Sequence, residues 1–295
     1  MHKFLKSVGF SEYTSTKKIQ ELVKDVILNA ETRNYTTLDG KEDTVLVEFC
    51  KDFAENMGIA VCGEFDESDN FIFYYYYPYL RGTGISSMED VSVERHAAVE
   101  SYAGVCDDIK VGVTLIFYLQ NMIPYIKYKN ADKLQVRGTS LTLSALASQG
   151  SIMMPIIKSE NQKKKIQQST ITRNQLIEAA RRGDEDAIES LTLEDMDTYT
   201  TISKRIQKED VFSLVDTYFM PYGVECDQYS VLGEISEYHT VMNKLTKEKI
   251  CFMTINCNEL TFDVCINEKD LYGEPKIGRR FKGVVWLQGA VNYPE

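Results

Sequence analysis

The chain is poor in the groups from which metal, redox and hydrolytic sites are usually built. Three His (His2, His96 and His239) and seven Cys without a C-x2-C pair offer no tetrahedral zinc set. Cys251 and Cys257 share one parity of an extended run but lie roughly 20 Å apart along it, too far for a common ion. There is no G-x-S-x-G elbow, and Cys106 precedes Asp107 and Asp108, whose charges raise a thiol pKa where nucleophilic catalysis needs it lowered. No G-x-x-x-x-G-K-[ST] loop occurs. The run G-T-G-I-S-S at 82–87 lacks the third Gly of a dinucleotide fingerprint and reads as a strand-to-helix loop. The acids at 184–197 miss the calcium-loop spacing and read as a helix start with a solvated face. Neither a cofactor nor a metal is expected.

Long apolar runs are missing as well. The longest, 111–119 and 152–157, fall short of the roughly 20 residues that span a bilayer, and the opening M-H-K-F-L-K-S-V-G-F has no apolar run of leader length. Seven Cys at irregular spacings read as reduced core residues, so the expectation is a cytoplasmic protein. Acidic residues outnumber basic ones by 44 to 33, and a net charge of −11 repels phosphate backbones and anionic headgroups. Bulk nucleic-acid binding and membrane binding are therefore not expected.

What the chain does have is folding pattern. Its 295 residues exceed the about 250 at which one core gives way to two domains. Ser15 caps an expected first helix with Ile19, Leu22, Val23, Val26, Ile27 and Ala30 on one face. After a turn at Asp39–Gly40, strands are expected over 44–50, 59–65 and 71–77, the last two joined by a hairpin loop at 66–70. In F-I-F-Y-Y-Y-Y-P-Y both parities are aromatic, so both faces need cover, and a helix over 89–103 stopped by Gly104 is the expected source. Strands over 112–119 and 134–143 follow, then a short apolar run at 152–157 after a turn at 149–151.

The polar, basic run 158–171 is read as a linker between an N-terminal α+β sheet domain, 1–157, and a second domain, 172–295. The second domain opens with helices broken at Gly183–Asp184 and closes with a small antiparallel sheet. Cys251, Met253, Ile255 and Cys257, then Leu260, Phe262, Val264 and Ile266, alternate as a hairpin with one buried face. The fold class is thus α+β, two domains with mixed or antiparallel sheets and packed helices, the C-terminal sheet a candidate partly open barrel.

Two constellations carry candidate chemistry. In G-R-R-F-K-G-V-V-W-L-Q, Arg279, Arg280 and Lys282 supply charge for a carboxylate or phosphate, and Trp286 and Gln288 supply stacking or hydrogen bonds, against the alternative of a solvated basic edge. In M-P-Y-G-V-E-C-D, Glu225 and Asp227 share a parity beside Tyr222 and Tyr229, a carboxylate pair suited to acid/base work if burial splits the two pKa values. The leading reading is a binding or regulatory module recognising a protein or a small anionic ligand. The alternatives are an enzyme using Glu225, Asp227 and Tyr229 in an interdomain pocket, and a structural protein whose aromatic strand at 71–79 is covered by a second copy in a homodimer.

The opening M-H-K-F-L-K-S-V-G-F, the central L-E-D-M-D-T-Y-T-T-I-S-K-R-I-Q-K-E-D-V-F-S-L-V-D-T-Y-F-M-P-Y-G-V-E-C-D-Q-Y-S-V-L-G-E-I and the ending G-R-R-F-K-G-V-V-W-L-Q-G resemble a conserved domain family of clostridial, gut-Firmicute proteins without an assigned function. The resemblance extends over most of the chain and implies no particular activity, ligand or catalytic residue.

Overall fold

The computed structural model describes residues 2–294 except 39–40, 96–100, 109–110, 135–137, 157–159, 207–210 and 225. The turn expected at Asp39–Gly40 falls outside the described residues. A short 3-10 turn, Leu5–Val8, leads into α1, Thr16–Leu28, where the Ser15 side chain accepts a hydrogen bond from Lys18 N and Leu22 and Val26 are buried. Four antiparallel strands then form sheet A in sequence order: β1 (Thr32–Leu38), β2 (Lys41–Ala54), β3 (Met57–Phe65) and β4 (Phe71–Leu80). The β3–β4 loop is held by Asp66, whose Oδ1 accepts from Ser68 N and Asn70 N, both at 2.9 Å.

The helix expected over 89–103 is replaced by strands β5 (Val91–Arg95) and β6 (Tyr102–Cys106), paired antiparallel with Val91 opposite Cys106. Val91 and Val93 of β5 alternate with the exposed Ser92 and Glu94, β6 is buried along most of its length, and Gly104 is a close approach in place of a helix stop: a Cβ there would run into the Phe117 ring. Cover for the aromatic β4 comes from elsewhere. Tyr118 lies 4.6 Å from Tyr77 between ring centroids, and the His2 backbone N–H donates to Tyr76 Oη. Strand β7 (Leu115–Leu119) is followed by α2 (Met122–Asn130) and the long β8 (Ser140–Met153). The turn expected at 149–151 is instead continuous strand within β8, paired with 282–284 just after a register slip at Ser148, and Gly150 leaves room for the Phe281 ring.

Two 22-residue helices, α3 (Glu160–Arg181) and α4 (Glu185–Ile206), form a hairpin about Gly183, and α5 (Val211–Leu214) returns the chain to the sheet. The polar run expected as a linker is therefore mostly the start of α3; its apolar gaps suit a helix whose cover is another helix. The last strands are β9 (Tyr218–Pro221), β10 (Gln228–Met242), β11 (Lys249–Cys257), β12 (Leu260–Asn267), β13 (Leu271–Tyr272) and β14 (Arg280–Asn292). The β11–β12 hairpin has the expected register, with Ile255 opposite Phe262 and Cys257 opposite Leu260.

These strands and β5–β8 make sheet B. Pairings run β8–β12–β11–β10–β14 and return from β14 to β8, closing a ring, while β7, β6 and β5 continue from the far half of β14. The architecture is two-domain α+β: sheet A with its helix, and a partly closed barrel-like sheet B. The limits 1–157 and 172–295 do not follow the sheets, because β5–β8 come from before α3 and pair with strands after it. One apolar core fills sheet B around Phe117, Tyr229, Phe262 and Phe281; a second joins α1, the first 3-10 turn and sheet A to sheet B through Phe252 and Trp286.

Candidate functional site

Strand β14 lies between β8 on one edge and β10, then β7, on the other, so its side chains are claimed from three directions. Arg280 is 6% exposed. Its guanidinium donates to four backbone carbonyls: Nε to Met154 O at 3.0 Å, Nη1 to Val215 O at 2.8 Å and Asp216 O at 3.2 Å, and Nη2 to Phe212 O at 2.8 Å. These carbonyls belong to the chain just before α3 and around α5, so Arg280 clasps both ends of the segment that carries the helical hairpin. The planar fork suits carbonyls arriving from two segments, as an ammonium would not. Lys282 adds a second contact there, its Nζ 3.9 Å from the Phe212 ring centroid.

Arg279 donates to Glu274 O at 2.8 Å. Trp286 is 6% exposed; its Nε1 donates to Asp227 Oδ2 at 2.6 Å and its ring packs 4.7 Å from His2 and 5.3 Å from Tyr118. Gln288 is fully buried and joins the sheets. Its Nε2 donates to Pro78 O at 2.9 Å, and its Oε1 accepts from Leu80 N at 3.2 Å and Gln120 Nε2 at 2.8 Å. The side-chain amide thus satisfies the edge of β4 as a neighbouring strand would. Of the five residues expected to form a ligand surface, Arg280, Trp286 and Gln288 are buried on internal partners, while Arg279, just before β14, and Lys282 are partly exposed and held by Glu274 and the Phe212 ring.

The carboxylate pair fares similarly. Glu225 lies outside the described residues. Asp227 holds Trp286, and Tyr229 is buried with its hydroxyl accepting from Ile116 N at 2.7 Å and donating to Ile116 O at 3.1 Å. Tyr222 is exposed on the β9–β10 loop. Burial pushes the Cys106 thiol up to about 11, with the Asp108 carboxylate adding to it, and Cys251 and Cys257 to about 12. Such thiols stay protonated at neutral pH and make poor nucleophiles. Among the described residues no three His, Cys, Asp or Glu side chains gather as metal ligands, and no helix is long and apolar enough to cross a membrane.

A buried polar group that the sequence pattern did not single out lies under sheet A. Glu48 Oε1 accepts from Tyr77 Oη at 2.6 Å and its Oε2 from Asn34 Nδ2 at 3.2 Å, with Cys62 Sγ at 3.8 Å. Burial raises the Glu48 carboxyl above the ordinary range, outweighing the hydrogen bonds from Tyr77, Asn34 and Cys50 and the Arg81 charge, which favour the ion. Because the folded state then binds its proton more tightly than the unfolded chain, this group costs stability as pH rises from the unfolded carboxyl range through the raised folded value. Glu48→Gln is expected to flatten that part of the stability-against-pH curve, whose slope per proton is at most about 1.4 kcal/mol per pH unit, and to equal or exceed the wild type at pH 8. Urea midpoints measured between pH 4.5 and 8 check it; a parallel, lowered curve for the variant would refute the assignment.

An open cleft of about 590 Å³ lies between α1, β2 and the turn after β10, with Tyr13 and Phe53 among its apolar lining. Its charges are of both signs, and the Lys51–Asp25 pair at 2.7 Å neutralises one of each.

The helical hairpin is different: among the described residues it keeps large apolar side chains exposed. Among the described residues, α3 packs chiefly on α4, and α4 on α3 and α5, without broad contact to either sheet. Ala187 is buried and Arg173 reaches Glu194 at 3.5 Å across the two helices. Ile188, Leu193 and Met196 remain 48%, 56% and 62% exposed. At about 100° per residue, Leu193 and Met196 project about 120° and 180° round the helix from Ala187, away from the α3–α4 seam. A family model described as "Domain of unknown function, E. rectale Gene description (DUF3881)" matches residues 5–289. The chain belongs to the DUF3881 family. The DUF3881 match runs from the first 3-10 turn to the last residues of β14, ending at 289, so sheet A, the helical hairpin and nearly all of sheet B lie within it. No curated protein and no solved structure matches the chain.

Proposed function

We propose that the protein is a cytoplasmic binding module that recognises another protein, and that the outward face of the α3–α4 hairpin is its recognition surface. The observation that carries this reading is the pair Leu193 and Met196, both more than half exposed on a helix whose buried face is already turned to α3. A two-helix hairpin buries little on its own, and an amphipathic helix with a second apolar face gains from a further partner. The cytoplasmic placement draws support from seven cysteines, all of them free thiols. A small anionic ligand remains the weaker reading, since Arg280 is spent on carbonyls and Arg279 and Lys282 on Glu274 and Phe212.

The test is site-specific photo-cross-linking in cells, with the reactive residue placed at 193, 196 or 282. Discrete protein adducts from 193 and 196 but not from 282 are expected. Adducts from 282 alone would return the recognition surface to β14, and none from any position would end the protein-binding reading.

A further inference from the structure

Resting on that reading, we infer that the occupant of the α4 face is a single basic, amphipathic helix of another protein. The outward stripe of α4 is Glu185, Glu189, Thr192, Met196 and Thr200, spaced 4, 3, 4 and 4 residues apart, with Leu193 beside it. That spacing is the repeat by which one helix presents a continuous seam to another, and 185 to 200 covers about 22 Å, four turns.

The two halves of the seam differ in chemistry. Its first half is acidic: Glu185 and Glu189 are exposed and make no ion pair among the described residues, and Asp186 and Asp197 flank the stripe, both exposed. Its second half is apolar. Leu193 and Met196 supply the large side chains, while the hydroxyls of Thr192 and Thr200 are spent on their own helix, donating to Ile188 O and Met196 O at 2.8 Å each. Those threonines therefore bring no unsatisfied hydroxyl to a covered surface.

Charge complementarity selects the occupant. A helix with Lys or Arg along one half of its contact stripe and Leu or Met along the other matches both halves at once. A second copy of α4 does not. Laid parallel it sets Glu185 and Glu189 against their own copies, and laid antiparallel it buries those carboxylates against Met196 and Leu193; both arrangements cost free energy. The protein's net charge of −11 adds long-range attraction for a basic partner and repulsion between copies.

The probe is an 18-residue Leu/Lys amphipathic helical peptide, labelled for fluorescence anisotropy and titrated with the full chain at 150 mM salt. An equally long Leu/Glu peptide serves as control. The expected result is at least tenfold tighter binding of the Leu/Lys peptide. Leu193→Ser with Met196→Ser, which leaves the charge unchanged, should weaken it at least tenfold; Glu185→Gln with Glu189→Gln should weaken it several-fold and flatten its salt dependence. Both double variants sit on exposed positions, and unchanged helicity by circular dichroism confirms their fold; should the apolar pair alter it, the Gln pair decides. Affinity unchanged in the Ser pair would mean attraction by net charge alone and would overturn the inference. So would self-association by sedimentation that the Ser pair abolishes, which identifies a second copy as the occupant. Cross-links at 193 with no peptide binding would leave the protein-binding reading standing and remove only the basic helix.

Discussion

Arg280→Met is expected to lower stability by about 3–4 kcal/mol, because it takes the donor from four part-buried carbonyls, each worth roughly 1–3 kcal/mol when left unpaired, and rehydration recovers only part of that. The four acceptors come from Met154, Phe212, Val215 and Asp216, so the loss falls where the helical segment joins sheet B. The carbonyls after α5 also carry the negative end of its backbone dipoles, which a cation stabilises and a thioether does not. Arg280→Lys should recover less than half of the loss, since one ammonium cannot reach acceptors on both segments. Urea unfolding measures the total, and hydrogen exchange at 212–219 should show the opening first. A loss under about 1 kcal/mol would mean that the carbonyls find other donors. Lys282→Ala, which removes only a cation over the half-buried Phe212 ring, should cost about 1 kcal/mol or less by the same assay.

Gln288→Leu is expected to cost about 3 kcal/mol or more, since a side chain of similar volume leaves Pro78 O, Leu80 N and Gln120 Nε2 without the partner that now serves all three. Leu80 O retains Gln120 Nε2 and Ser144 Oγ, so the effect concentrates on the Pro78–Leu80 edge of β4. Because this amide joins sheet A to sheet B, the variant should also lose cooperativity: a lowered urea m-value, with tyrosine signals from sheet A moving before the single Trp286 of sheet B. Coincident transitions with an unchanged midpoint would show that the sheets are held together without Gln288. Glu at 288 tests the geometry separately, as a carboxylate accepts from Leu80 N and Gln120 but cannot donate to Pro78 O.

Both residues were expected to meet a ligand, and both are structural for the same reason. The alternation of directions along 279–288 is local and was legible; which bodies lie on either side is not. Arg280 meets carbonyls more than sixty residues away in sequence, and Gln288 meets a strand edge about two hundred residues away. The segment 89–103 misled in the opposite sense. Its apolar residues fit a weak helical stripe, but pairing with β7 and the tight seat of Phe117 on Gly104 favour strands, a tertiary contribution that outweighs small differences in local propensity. The α4 seam was legible in principle, since Glu185, Glu189, Thr192 and Met196 repeat at 3–4; it passed for a solvated acidic face because the buried side of α4, at Ala187, is small.

The sequence by itself determined the α+β class, the Ser15 cap, the break at Gly183 between two helices, the β11–β12 hairpin and the family to which the chain belongs, because each rests on spacing between near neighbours or on the string itself. Only the tertiary structure decided that sheet B closes through β8 and β14, that Arg280 of β14 is buried on backbone carbonyls, and that Leu193 and Met196 of α4 stay exposed. Side-chain direction repeats every two or 3.6 residues and can be counted along the chain, whereas burial is decided by what arrives from far along it.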